Sequence, residues 1–181
     1  GVAAVRGLTA PAMTPRLERL FGEYDAYHRD PVNVAIHKVA VPAILFHIVV
    51  MLDWISLPVR VAGMPLGLGL VAAGAVGAWY VFVCPRYAAV LVPLAIGCAV
   101  LGRMVPRPVV VGVAAVAWTA QFVGHARFER RAPAFTDNLL QLLVGPAYVV
   151  ALMMGDWPPA GERDTGGCQG DSDRHRELRG E

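Results

Sequence analysis

The sequence has few charged residues, and those that it has are kept out of its long apolar runs. Charged side chains make up 17% of the 181 residues, whereas an average soluble domain has about 25%. Only five fall between residues 39 and 124, each between apolar runs: Asp53, Arg60, Arg86, Arg103 and Arg107. A surface helix of a soluble protein carries a polar face, so this distribution excludes a soluble helical domain.

Several patterns that mark other protein classes are missing. The three cysteines, Cys84, Cys98 and Cys168, form no CxxC pair and no zinc-binding spacing, so we interpret them as reduced thiols. The net charge is only +2 and no basic stripe carries interleaved aromatics, so we expect no nucleic-acid partner. The first twenty residues contain no apolar stretch followed by a small-residue cleavage site, which predicts no secretory signal peptide.

Five apolar runs dominate what the sequence does contain. They cover residues 39–52, 66–83, 87–102, 108–124 and 139–154. A transmembrane helix needs about 20 residues, with about 17 near the lower limit, so interfacial residues complete several runs. The predicted fold class is all-α, a polytopic helical membrane protein with four to five short transmembrane helices in the lipid bilayer. The fifth run contains Gln141 and Pro146, and we interpret it as either a span or a re-entrant segment.

The chain outside these runs divides into two further regions. Residues 1–30 are predicted to form an N-terminal surface segment with a helix over residues 14–30, whose apolar residues recur at helical spacing: Leu17, Leu20, Phe21 and Tyr24. Asp30-Pro31 is typical of a helix start, with an N-cap followed by proline at the first helical position. Residues 155–181 are polar and rich in glycine and proline, which predicts a disordered C-terminal tail.

The number of crossings puts two distant polar segments on one side of the membrane. If the first four runs all span, the segments 25–38 and 125–138 face the same compartment. That face carries Arg16, Arg19, Arg29, Lys38, Arg86, Arg127, Arg130 and Arg131, whereas the opposite short loops carry only Arg60, Arg103 and Arg107. By the positive-inside rule this face is cytoplasmic. The chain has 15 Arg and one Lys, a bias typical of GC-rich bacterial genomes, so we expect a bacterial inner membrane.

The first polar segment carries two histidines separated by a helix boundary. Asn33 and His37 are four residues apart and share a helix face. His28 precedes Pro31, so the chain can fold back and bring its imidazole to that face. On one uninterrupted helix, a nine-residue separation would put the two histidines on opposite sides. The break therefore makes joint metal ligation feasible.

The second segment carries a polar stripe at the end of the fourth run. Gln121, His125 and Glu129 recur at four-residue spacing, and Gly124 would let another helix approach closely beside them. Three imidazoles and a carboxylate at one membrane face can hold Fe(II), Zn(II) or Mn(II), and two histidines with one carboxylate is the arrangement of non-haem iron oxygenases. Residues 31–154 are therefore a predicted transmembrane metal-binding domain.

Each of these residues also has a purely structural interpretation. A histidine at a membrane interface commonly makes a packing hydrogen bond, and Glu129 has neighbouring arginines as ion-pair partners. For His47, inside the first run, we predict a hydrogen bond between packed helices. Arg29, Lys38 and Arg131 either fix the topology or attract the anionic headgroup of a substrate.

Two multi-residue motifs match those of a known family. The first comprises Tyr27-His28, Pro31, Asn33-Val34, Ile36-His37, Val41-Pro42 and Ile44-Leu45-Phe46. The second comprises Gln121-Phe122-Val123-Gly124-His125, Phe128-Glu129, Arg131, Pro133-Ala134, Asp137-Asn138-Leu139 and Gln141. In both, the chain resembles the membrane 2-hydroxy fatty acid dioxygenases (Mpo-like), which act in the conversion of phytosphingosine to odd-numbered fatty acids. The intervening runs agree with that family only in hydrophobicity.

The resemblance implies an enzyme, an Fe(II)-dependent dioxygenase that performs α-oxidation of a 2-hydroxy fatty acid with O2 and yields a fatty acid one carbon shorter. It implies that His28, His37 and His125 ligate the iron. In the fifth run, where the family pattern predicts an acidic residue, the chain has Ala151-Leu152-Met153.

The other polar residues of the two segments receive roles around this metal. Glu129 is either a fourth ligand or an acceptor that orients a histidine. The further candidate catalytic residues, as hydrogen-bond donors near the metal, are Tyr27, Asn33 and Gln121. The candidate substrate-binding residues are Arg29, Lys38 and Arg131.

Two other function classes fit the same residues. A non-enzymatic small membrane protein, such as a transporter or assembly factor, would use the polar segments only to fix its topology. A zinc-dependent lipid hydrolase would use the same metal ligands. The pattern leaves open whether the chain forms a homo-oligomer.

Overall fold

The computed structural model describes residues 13–61 and 63–158. The residues fall into two units, and the larger one, residues 13–150, contains both polar segments. In the described part of the second unit, residues 151–158, the Asp156 N–H donates to the Ala151 carbonyl at 2.9 Å. The predictions for residues 1–12 and for the tail beyond residue 158 lie outside the described residues.

Helices account for most of the described chain, which confirms the predicted fold class. Their order is α1 (Pro15–Asp25), α2 (Pro31–Asp53), a hairpin of β1 (Ser56–Val61) and β2 (Met64–Gly67), α3 (Leu68–Val83), α4 (Pro85–Leu101), α5 (Arg107–Gly124) and α6 (Gln141–Met154). Short turns follow α4 (Gly102–Met104, 3-10) and α5 (His125–Glu129, π-helical) and precede α6 (Ala134–Thr136, 3-10).

Three of the described helical segments are long and apolar enough to cross a membrane. They are Pro31–Asp53 with 23 residues, Pro85–Met104 with 20 and Arg107–Glu129 with 23. The apolar helices α3 and α6 are shorter, with 16 and 14 residues. Large apolar side chains on the helices point outward, and Phe82, Val39 and Val116 are 87%, 74% and 71% exposed. Lipid tails are as apolar as these side chains, so the outward faces fit a bilayer.

The start of α2 is fixed by its own sequence. The Asp30 carboxylate accepts hydrogen bonds from the backbone N–H groups of Val32 and Asn33 at 2.8 and 3.4 Å, and Pro31 occupies the first helical position. This confirms the predicted boundary. From there α2 runs through the middle of the bundle and packs against α3, α4 and α5.

The apolar face of α1 packs against the protein. Leu17, Leu20, Phe21 and Tyr24 are all buried, as their helical spacing predicts. The Phe21 ring lies 5.8 Å from the Tyr87 ring and 5.7 Å from the Tyr148 ring, between centroids. Because α1 is anchored in this way, the turn that follows it, which carries His28, has a defined position.

The hydrophobic pattern does not predict the β-hairpin, because it assigns residues 66 and 67 to an apolar run. In the structure β2 ends at Gly67 and α3 begins at Leu68. The reason is a close approach to the end of α2, because a Cβ on Gly67 would lie 1.9 Å from Oδ1 of Asp53. Asp53 is buried there and forms an ion pair with Arg103 at 2.6 Å.

Candidate metal centre

Three buried histidines from distant parts of the chain meet at one end of the bundle; we call His28, His37 and His125 the histidine cluster. His37 lies in the second turn of α2 and His125 directly follows α5, so the antiparallel course of α2 to α5 returns the chain to the starting side. His28 lies in the turn between α1 and α2. All three are at most 4% exposed.

The ring nitrogens of the cluster are within the reach of a single ion. Nε2 of His37 lies 3.0 Å from Nε2 of His28 and 3.2 Å from Nε2 of His125. The three ring centroids are 4.3 to 4.9 Å apart. One nitrogen of each ring lies within 4.8 Å of the other two. At a metal–nitrogen bond of about 2.1 Å, ligands at right angles are about 3.0 Å apart, so the spacing fits a shared metal ion.

The hydrogen bonds on the far side of two rings determine which nitrogens can bind a cation. Nδ1 of His28 donates to the Tyr24 carbonyl at 2.7 Å, and Nδ1 of His37 donates to the Asn33 carbonyl at 2.8 Å. A carbonyl only accepts, so both Nδ1 atoms carry the proton and both Nε2 atoms present a lone pair. Two lone pairs 3.0 Å apart repel each other. A cation between them removes this repulsion, because both lone pairs can bind it.

A proton is a poor candidate for that cation. Burial, followed by the nearby charge of His37, lowers the pKa of His28 to about 3. The Tyr24 ring adds to the enclosure, since it stacks on His28 with centroids 4.1 Å apart and planes at 11°. His28 is therefore neutral near pH 7, which is the protonation state that a metal requires of an imidazole ligand.

Further polar atoms around the cluster have unmet hydrogen-bonding capacity. The Gln121 amide nitrogen lies 2.7 Å from Nε2 of His37. Its Oε1 and the Nδ1 of His125 are buried without a hydrogen-bond partner among the described residues. A buried polar atom without a partner costs about 1–3 kcal/mol, so the site gains stability from a ligand that engages these groups.

Glu129 lies at the start of α2, beside the cluster. Its Oε1 accepts a hydrogen bond from the Asp30 backbone N–H and another from the Asn33 side-chain amide, both at 3.0 Å. Glu129 ends the turn that follows α5, which is π-helical, with hydrogen bonds that span five residues. The carboxylate faces the positive end of the α2 dipole. Among the described residues the group that can hold a metal consists of the three histidines alone.

Asn33 connects the carboxylate to the histidines. Its backbone carbonyl orients His37, while its amide group is fully buried and donates to Glu129. A Cβ on Gly124 would lie 2.5 Å from Oδ1 of Asn33, so the glycine is what lets α5 approach α2 this closely. This confirms the predicted role of Gly124.

The remaining predicted site residues lie toward the surface. The Tyr27 hydroxyl donates to Asp137 at 2.9 Å, and the Arg131 guanidinium stacks 3.7 Å above the Tyr27 ring while donating to the Ala26 carbonyl. Arg29 and Lys38 are exposed. Both lie outside the buried histidine cluster, and their role in substrate binding stays a prediction.

An apolar cavity of about 250 Å³ leads away from the cluster into the bundle. Its polar end includes His28, His125, Gln121 and a residue with no predicted role, Gln141. Gln141 is 5% exposed and its Oε1 has no partner among the described residues. The available signal was a single glutamine at the edge of an apolar run. Trp118 also lines the cavity and donates to Nε2 of His47 at 3.0 Å, which confirms the packing hydrogen bond predicted for His47.

Comparison with known proteins gives two matches. The family model described as 2-hydroxy-palmitic acid dioxygenase Mpo1-like matches residues 15–157. The 2-hydroxy-palmitic acid dioxygenase MPO1 of Saccharomyces cerevisiae is 34% identical over 142 residues, which cover 74% of this chain and 76% of the yeast protein. No solved structure matches. The region matched by the family model includes α1 to α6 and all three histidines.

Proposed function

Because the chain belongs to the Mpo1-like family, we propose that it is a dioxygenase that shortens 2-hydroxy fatty acids by one carbon with Fe(II) as cofactor. The conversion balances with O2 alone: the 2-hydroxy acid and O2 yield the shortened acid, CO2 and water. The substrate itself therefore supplies all the electrons, and no separate reductant is required.

The observation that carries this proposal is the pair of lone pairs on His28 and His37. Each Nδ1 is held by a backbone carbonyl, so each Nε2 must accept, and the two lie 3.0 Å apart in a buried site. His125, which directly follows α5, completes the set. A neutral three-histidine site with open positions suits a divalent metal of this kind. When bound, Fe(II) would supply the redox chemistry with O2 and a Lewis-acid centre for the substrate carboxylate and 2-hydroxyl.

The protein's own groups have three tasks in this proposal. The backbone carbonyls of Tyr24 and Asn33 hold two imidazoles in the tautomer that ligates a metal. Glu129 and Asn33 fix the start of α2 against the end of α5, and so fix the distance between the histidines. Gln121 faces His37 and offers an amide to a substrate oxygen.

The location of the site fits an amphiphilic substrate. A 2-hydroxy fatty acid keeps its carboxylate at the headgroup level and its tail among apolar groups. Here the histidine cluster lies near the ends of α2 and α5, and exposed Arg29, Lys38 and Arg131 lie on the same side. We propose that these cations attract the carboxylate and that this face is cytoplasmic, in a bacterial inner membrane.

Iron content and product analysis test the proposal. The detergent-purified protein, loaded anaerobically with Fe(II), is expected to hold one iron per chain and to consume O2 when 2-hydroxypalmitate is added. The product should be the fatty acid one carbon shorter, labelled when ¹⁸O₂ is used.

The alternative functions give different results in the same experiment. A transporter or assembly factor would hold no stoichiometric iron. A zinc-dependent lipid hydrolase would bind metal but consume no O2 with a 2-hydroxy acid. Either result would contradict the proposed function.

A further inference from the structure

The cavity behind the histidine cluster extends most of the way along α2. Its lining on α2 begins at Val41, one turn beyond His37, and ends at Leu52, next to the last residue of the helix. On α3 the deepest lining residue is Ala72, four residues from the start of that helix. Because α3 runs antiparallel to α2, Leu52 and Ala72 are the lining residues of these two helices that lie farthest from the cluster. We call this pair the cavity floor.

The walls between the cluster and the floor carry almost no polar groups. They consist of side chains such as Ile44, Ile48, Val76 and Leu91. The polar lining residues Gln121, Gln141 and His125 all lie at the opposite end from the floor. One end of the cavity therefore suits a polar headgroup, and the rest suits an alkyl chain.

The length of the cavity matches a long alkyl chain. From Val41 to Leu52 the helix rises about 16 Å, at about 1.5 Å per residue. An extended alkyl chain advances about 1.25 Å per carbon at ordinary single-bond lengths, so about 13 carbons fit between these levels. With the carboxyl and 2-hydroxyl carbons placed directly beyond the level of Val41, on the side of the histidines, the total is about 15 carbons.

We infer that this cavity binds the alkyl tail of the substrate, with its methyl end at the floor formed by Leu52 and Ala72, and that the floor sets the preferred chain length. The inference rests on the proposed function for the identity of the headgroup. It follows that a bulky side chain at residue 72 shortens the accepted tail, and that a smaller one at residue 52 lengthens it.

Two substitutions on one turn of α3 provide a matched comparison. Ala72 lines the cavity, whereas Ala75 is exposed on the outer side of the same helix. Ala72→Phe extends a ring about 4 Å into the cavity, which removes room for about three carbons. Turnover of 2-hydroxy acids with 10 to 18 carbons should then peak about three carbons lower than in the wild type. The C16-to-C12 turnover ratio should fall at least tenfold, with iron content unchanged.

Ala75→Phe should leave the chain-length profile unchanged, and Leu52→Ala should move it toward longer chains. An Ala72→Phe protein that folds, binds iron and keeps the wild-type profile would overturn the inference while leaving the proposed function intact.

Photolabelling of the wild type decides the matter even if Ala72→Phe fails to fold. A 2-hydroxypalmitate analogue with a diazirine on its terminal carbon is bound without iron and irradiated. Labelling at Leu52 or Ala72 supports the inference, and labelling confined to outward residues such as Phe82 contradicts it. Labelling at the floor in a protein that turns over no 2-hydroxy acid would support the tail site and reject the proposed activity.

Discussion

His37 and His47 lie on the same helix and differ in what faces one ring nitrogen. Both are buried, at 2% and 4% exposed. Both donate Nδ1–H to the carbonyl four residues earlier, at 2.8 and 3.0 Å. Nε2 of His47 accepts from the Trp118 indole N–H, which uses its lone pair. Nε2 of His37 lies 2.7 Å from the Gln121 amide nitrogen, but it also faces two further ring nitrogens, Nε2 of His28 at 3.0 Å and Nε2 of His125 at 3.2 Å.

This difference separates a packing residue from a candidate ligand. The His47 ring is a complete hydrogen-bonded unit and needs nothing further. In the histidine cluster, by contrast, the hydrogen-bond acceptors outnumber the donors. A divalent cation can bind the acceptors that have no donor. Burial alone does not distinguish these sites, whereas the balance of donors and acceptors does.

The largest expected effect comes from exchanging the two histidines for alanine one at a time. His37→Ala should abolish stoichiometric iron binding and lower turnover of 2-hydroxypalmitate more than about 100-fold, since loss of a ligand exceeds the usual loss for an outer-shell partner. His47→Ala should retain iron, because both ring nitrogens of His47 are hydrogen-bonded outside the cluster, to the Ala43 carbonyl and to Trp118. The measurement is the iron content per chain of both purified variants. Equal iron content in the two would contradict the assignment of His37 as a ligand and His47 as a packing residue.

A smaller effect is expected from acid. The pKa of His28 is lowered from its usual value near 6.5 to about 3 in the folded apoprotein. Below pH 6.5 the unfolded chain therefore binds a proton that the folded chain does not, and stability falls as the pH falls. From pH 7 to pH 5 the loss is about 2 kcal/mol at 1.36 kcal/mol per unit.

Denaturant unfolding of the apoprotein in detergent at the two pH values measures this loss. His28→Gln should remove the contribution of His28, about 2 kcal/mol, from the acid-induced loss, whereas His47→Gln should keep it. Equal sensitivity of the two variants would show that the cluster is not its source.

The smallest expected effect comes from removing the hydrogen bond between Trp118 and His47. Trp118→Phe leaves Nε2 of His47 buried without a donor, which should cost about 1 kcal/mol of stability while iron content stays at the wild-type level. A double-mutant cycle with His47→Phe isolates this hydrogen bond, and the two changes should couple by about 1 kcal/mol. Additive effects, or loss of iron in Trp118→Phe, would contradict the separation of His47 from the cluster.

Much of the fold follows from local chemistry and could be predicted. The apolar runs give the helices, Asp30 and Pro31 give the start of α2, and the break before it gives His28 the freedom to meet His37. The side of the bundle shared by the two polar segments follows from the count of crossings. These features depend either on residues close in sequence or on whether the number of crossings is even. Neither requires knowledge of how the helices pack.

The position of Glu129 and the hairpin before α3 could not be predicted in this way. The Glu129 carboxylate accepts hydrogen bonds from Asp30 and Asn33, which belong to a separate element, and it ends a π-helical turn that looks like an α-helical one in sequence. The hairpin depends on Gly67 lying against Asp53, a contact between separate elements.

The sequence by itself therefore determined that the chain is helical and apolar, and that two distant segments carry three histidines that can meet at one end of the bundle. Only the tertiary structure decided that two of those rings present lone pairs to each other and that an apolar cavity leads from the cluster to Leu52. The physical reason is that hydrogen-bond balance and cavity shape are properties of surfaces in contact. Each depends on groups from several helices, and no single segment of the chain encodes them.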